Sequence, residues 1–188
     1  PDAIETLARA YVENDHDIRS VLRILFNSDF FKDAKFARVK CPAEFVAGVI
    51  RLGGDVAEPS LEMNEAGNLM GYMGQSLFAP PSVEGWHEGA GWVDTGTLVE
   101  RLNFAASQLA DVNKPGVKAM IGKMIADSGE VMSADRLVES CLDQMGAISV
   151  SDETHNVLVR FAEEGGHSRH SVELLLRLAA SSREFQLA

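Results

Sequence analysis

The chain is poor in the residues that mark several protein classes. Among its 188 residues are two cysteines, Cys41 and Cys141, with no C-x-x-C pair and no histidine beside either. That is no zinc pattern, and we read two separate buried thiols rather than a disulfide. No run of about eighteen apolar residues occurs, so no segment reads as a bilayer-spanning helix. Basic charge is scarce: 17 Lys and Arg stand against 28 Asp and Glu, a net charge of −11. No five-residue window forms a basic run, which argues against nucleic acid and anionic membranes as partners. The phosphate-loop, dinucleotide-fold and nucleophile-elbow motifs are all missing. Aromatic residues make up only 7%. β-branched residues are also few, while Leu, Ala, Glu and Met are common, a composition that favours helix.

What is present is an ordinary globular mixture, 46% hydrophobic and 24% charged. At about 150 residues per domain the length predicts a single helical domain over residues 1–188, large enough to bury a core without metal or disulfide. The start, Pro1-Asp2-Ala3-Ile4-Glu5, does not read as a signal peptide and has no initiator Met. We therefore expect part of a longer protein.

Apolar residues recur at helical spacing along almost the whole chain. Asp2 to Glu13 predicts a first helix. Asp17 is the expected N-cap of a second, with Ile18, Val21, Leu22, Leu25 and Phe26 on its inner face. Residues 28–31 end or restart it, and 32–40 read as a polar connection. Pro42 opens a helix that Gly53-Gly54 stops. A fourth helix follows Ser60, where Gly67 and Gly71 suggest close contact with another helix. Thr97 is expected to open the fifth, Pro115 the sixth, Ser133 the seventh, Ser151 (in a capping box) the eighth and Ser168 the last. No strand is predicted. The fold class is thus all-α, an irregular bundle of about eight or nine helices with one long Pro/Gly/Trp loop. That loop, residues 74–96, holds Pro80, Pro81, both tryptophans and His87. Loops of this length in compact domains are often functional or packed by their own side chains.

The segment Met73-Gly74-Gln75-Ser76-Leu77-Phe78-Ala79-Pro80-Pro81-Ser82-Val83-Glu84-Gly85-Trp86, with Trp92 and Leu98-Val99-Glu100-Arg101-Leu102-Asn103-Phe104 behind it, resembles the bacterial domain-of-unknown-function-1800 family. Three more segments are similar to it: Asp17 to Phe31, Lys40-Cys41-Pro42-Ala43-Glu44-Phe45-Val46, and Ala179-Ala180-Ser181-Ser182-Arg183-Glu184-Phe185-Gln186. They match the C-terminal portion of a family whose members are usually longer. The resemblance implies a mainly helical protein with no firmly assigned reaction. It also implies export, so a periplasmic or extracellular location is expected. Position 87 is His where the family commonly has Pro, and His87 inherits no role.

Within the loop, Trp86 and Trp92 are candidate binding faces for a sugar ring or a peptide. Glu84, His87, Glu88 and Asp94 are candidate ligand-binding groups, as metal ligands or an acid/base pair, although their spacing fits no metal motif and no metal or cofactor is expected. The competing reading is structural: prolines fix the backbone, Gly85 supplies an unusual φ and Trp86 plugs the core. Arg101 is expected to form a buried ion pair with Asp94 or Glu84. His167 and His170 read as a solvated helix entrance. Three functions follow. The first is a helical interaction or structural module of an exported bacterial protein, with a protein partner. The second is a hydrolase-like helical enzyme with its site near Glu84, His87 and Asp94. The third is a carbohydrate-binding surface on Trp86 and Trp92. The sequence leaves open whether the protein is an enzyme.

Overall fold

A computed structural model describes residues 2–54, 61–127, 133–166 and 168–188. Among them lie ten α-helices, nine of seven residues or more, and no strand. The helices are α1 (Asp2–Glu13), α2 (Ile18–Asn27), α3 (Asp29–Lys32), α4 (Pro42–Gly53), α5 (Leu61–Tyr72), α6 (Thr95–Ala110), α7 (Pro115–Asp127), α8 (Ala134–Gln144), α9 (Asp152–Gly165) and α10 (Arg169–Ala180). Short 3-10 turns cover Gly89–Trp92 and Glu184–Gln186. The protein is all-α, as its composition and periodicity predict.

The chain divides into two compact units, residues 1–38 with residue 188, and residues 39–187. In the first, α1 packs on α2, and α2 on α3. Asp17 caps α2 by accepting the backbone N–H groups of Arg19 and Ser20, and Ser28 caps α3 through Phe31 N–H. The apolar stripe expected of α2 is there, but it does not form a core. No residue of α2 is buried, and Ile18, Leu22 and Phe26 are all exposed. Two helices and one extra turn have too little volume to hide a stripe.

The second unit holds the hydrophobic core. Helix α10 packs on α6, α7, α8 and α9, while α4 packs on α5, α6 and α7. Val46, Val49, Ala105, Leu109, Val117, Met124, Leu137, Val138, Leu175 and Leu176 are sealed from solvent at the centre. The serine caps sit where the sequence puts them, at Ser133, Ser151 and Ser168. Helix α6 begins earlier than expected: Asp94 is its N-cap, and Thr97 is the returning member of that capping box. The close helix contact expected at Gly67 and Gly71 lies elsewhere. A Cβ built at Gly67 meets nothing within 4 Å, and at Gly71 only the Ser76 hydroxyl. At Gly116, in the first turn of α7, a Cβ would collide with the carbonyl of Leu52 and approach Gly53 C to 2.7 Å. Gly54, left-handed with φ +71°, ends α4 against the same point.

Candidate functional site

Segments far apart in the chain meet at the N-terminus of α4. Pro42 occupies the first turn, where its missing N–H costs nothing. Cys41 N–H donates to Glu44 Oε2 at 2.9 Å, and Ala43 N–H donates to Gln75 Oε1 at 2.8 Å. The helix entrance is therefore fastened to the start of the Pro/Gly/Trp loop. Beneath it, Arg101 of α6 is completely buried. Its Nη2 donates to the Lys40 carbonyl at 2.7 Å, and its Nη1 reaches Gln186 Oε1 at 3.4 Å. The guanidinium carbon stands 5.1 Å from the centre of the Phe45 ring. Phe45 meets Phe185 edge to face at 5.7 Å, and Lys40 Nζ lies 4.8 Å over the Phe185 ring while donating to the Phe185 carbonyl at 2.8 Å.

This is a stack of two cations and two phenyl rings, in which the guanidinium donates to two carbonyl oxygens. Cation–π contact supplies part of what an acid would. Burial pushes both Arg101 and Lys40 below their ordinary pKa values; beside Lys40, Glu44 opposes the shift and Arg101 adds to it. Arg101 Nε and Gln186 Nε2 are buried without a hydrogen-bond partner. Lys40, Phe45, Phe185 and the edge of α4 also border a cavity of about 290 Å³ that Leu52 and Met145 help to line.

The loop leaves from this anchor. Gln75 N–H donates to the Met70 carbonyl at 2.8 Å, and Met73 is fully buried. At the far end Trp92 is only 6% exposed, and its carbonyl accepts from Thr97 Oγ1 at 3.1 Å. Asp94 accepts the N–H groups of Gly96 and Thr97, and these bonds hold its carboxyl below the usual carboxylate range. Between the two ends the chain turns outward. Phe78, at φ +62°, is 98% exposed, and Val83 and Leu77 are exposed as well. A phenylalanine held in the left-handed region and fully in water is unusual on both counts.

The residues singled out in the sequence are placed as follows. Trp92 belongs to the core and offers no free face. Trp86 is half-buried, with its indole N–H covered and unpartnered. Glu84 and Asp94 are exposed, and no hydrogen bond or ion pair joins either to the other or to His87. Arg101 is buried as expected but finds carbonyl oxygens, not Asp94 or Glu84. Among the described residues no three His, Cys, Asp or Glu side chains gather as a metal set. His170 lies 3.8 Å from Glu173 on its own helix, and His155 lies 3.7 Å from Asp135. His167 lies outside the described residues. Both cysteines are free: Cys141 is buried, and Cys41 only half so. Sequence reading did not single out Lys40, Phe45, Gln75, Phe185 or Gln186. The available signal was that all five fall inside the segments that carry the family resemblance.

These features define an all-helical fold whose long loop is tied at its start to the entrance of α4, ends in the buried Trp92 and the Asp94 cap of α6, and carries apolar side chains outward. The chain belongs to the family described as "Protein of unknown function (DUF1800)", whose profile matches residues 1–187. No curated protein and no solved structure matches it.

Proposed function

We propose that this domain is an interaction module, with the outward part of the Pro/Gly/Trp loop as the surface that meets a protein partner. One observation carries the reading. The loop is anchored by Met73, Gln75, Trp92 and the Asp94 cap, yet between its anchors it exposes Leu77, Phe78 and Val83 to water. Anchoring reduces the entropy that a binding loop loses on complex formation, and exposed aromatic side chains supply contact area. Among the described residues no hydrogen bond or ion pair joins Glu84, His87 and Asp94, which favours this reading over hydrolysis. Trp92 gives a sugar no platform. Export of the parent protein belongs to the same proposal, and its support is the family resemblance.

The test is site-specific photo-crosslinking in the source organism, with the reactive side chain at position 78 or 83 and, as control, at exposed position 160. One discrete adduct from 78 and 83, absent from 160, is the expected result. The reading fails if all three positions give the same adducts or none.

A further inference from the structure

The first unit contains a second surface, independent of the loop. Phe26, Phe31 and Phe36 line an open groove of about 570 Å³, with Lys32, Lys35 and Arg38 around it. Phe26 and Phe31 meet edge to face at 5.1 Å, and both are exposed. Phe36 is held at φ +59°, with Lys35 Nζ 4.6 Å over its ring. Lys32 Nζ is drawn back onto the Asn27 carbonyl at 2.7 Å, at the end of α2. Asp29 and Asp33 belong to the same segment, but no carboxylate side chain lines the groove.

The charge here departs from that of the rest of the chain. Residues 1–38 hold six Lys and Arg against seven Asp and Glu, whereas the whole chain has 17 against 28. Three of those six cations surround one apolar groove. We propose that this groove docks an acidic protein segment, one that inserts a large apolar side chain among the three phenyl rings and sets flanking Asp or Glu side chains against Lys32 and Lys35. Apolar burial would supply affinity and the cations orientation and on-rate, so binding must weaken with salt. A basic partner segment is disfavoured by like charge, and a purely apolar one leaves the lysines unused.

The experiment uses the full chain and a short fluorescein-labelled peptide with Phe and Leu flanked by glutamates, followed by fluorescence anisotropy. Two comparison peptides replace the glutamates by lysines, or Phe and Leu by serines. The expected result is saturable binding of the first peptide, at least tenfold tighter than either comparison and weakened by added salt. Lys32→Glu with Lys35→Glu should weaken it at least tenfold, whereas Phe78→Ser, on the loop, should leave it unchanged. If the charge-reversed protein unfolds by circular dichroism, Lys32→Gln with Lys35→Gln is the substitute, with at least a threefold loss expected. Equal binding of the lysine peptide, or indifference to both lysine pairs, overturns the proposal. So does sedimentation showing a dimer that the lysine variants dissolve, because a second copy of the chain would then fill the groove. Since Phe78 is not involved, failure here leaves the loop reading intact, and the reverse holds too.

Discussion

Helix α7 contains two glycines whose replacement by alanine should have opposite effects. Gly122 sits mid-helix, exposed, with nothing within 4 Å of a built Cβ. Alanine there removes backbone freedom from the unfolded chain and should stabilise by about 0.5–1 kcal/mol. Gly116 faces the end of α4. A Cβ would overlap the Leu52 carbonyl and come 2.7 and 2.9 Å from the carbonyl carbon and oxygen of Gly53. All three are backbone atoms, so no side chain can swing aside. Restoring ordinary contact means moving α7 away from α4 by about an ångström, which loosens Val46, Val49, Val117 and Ile121 in the core. Overpacking of this kind costs about 1–3 kcal/mol, and the bulk here is backbone, so the upper half applies. The propensity gain in a first turn is smaller than that, about 0.5 kcal/mol. Gly116→Ala should therefore lose about 2 kcal/mol net. At roughly 2–4 °C per kcal/mol for this chain length, its melting temperature should fall by about 4–8 °C, while that of Gly122→Ala rises by about 1–4 °C. Thermal unfolding followed by far-ultraviolet circular dichroism measures both. A Gly116→Ala protein as stable as its parent would refute the close approach of α4 and α7.

Other consequences can be measured on the same material. Arg101→Met leaves the Lys40 carbonyl and Gln186 Oε1 without their donor, at about 1–3 kcal/mol each. Relief of burying an unpaired cation offsets part of this, so urea unfolding should show a net loss of about 2 kcal/mol. A variant more stable than the parent would mean that burial of the charge dominates. Cys41 should react with a thiol reagent in the native state, whereas Cys141 should react only on unfolding. Burial pushes the Cys141 thiol up to about 12, so its contribution to stability is intact below the unfolded value of about 9 and shrinks as pH rises above it. Asp94 behaves in the opposite sense. Its carboxyl, held low by the Thr97 and Gly96 N–H groups, contributes stability that is present above the ordinary value of 3.8 and is lost as pH falls through the lower folded value. Asp94→Asn should lower the neutral plateau of the melting profile and flatten its acid limb, so that variant and parent converge at low pH.

Local signals in the sequence proved readable. Asp17, Ser133, Ser151 and Ser168 cap the helices they were expected to cap, because a cap is made by a side chain and an N–H group two or three residues away. Thr97 misled by two residues because Asp94 and Thr97 share one box, and either can be taken for its first member. The capping box expected after Ser151 is completed from a distance: Ser151 N–H donates to Glu184 Oε1 at 3.1 Å. The arginine cluster was illegible for a similar reason. Arg101 meets Lys40 and Gln186, which lie 61 and 85 residues away. No periodicity reports such a pairing, and an arginine that follows two carboxylate candidates in the chain invites the nearer partner. The stripe of α2 was read correctly as amphipathic and wrongly as inward-facing, since pattern records which residues share a face but not whether anything covers it.

The short turn at Glu184–Gln186, with Leu187 after it, gathers four distant parts of the second unit. Glu184 holds the entrance of α9, Phe185 closes on Phe45, Gln186 meets Arg101, and Leu187 bridges to Val39. A chain emerging from the ribosome passes through all of α4 to α10 before these residues exist. Until then Arg101 lacks Gln186 and Lys40 lacks the Phe185 carbonyl. Synthesis is thus expected to run ahead of folding here, with the nascent second unit loosely held and open to chaperones and proteases until its final turn arrives to lock residues 39 to 45 in place.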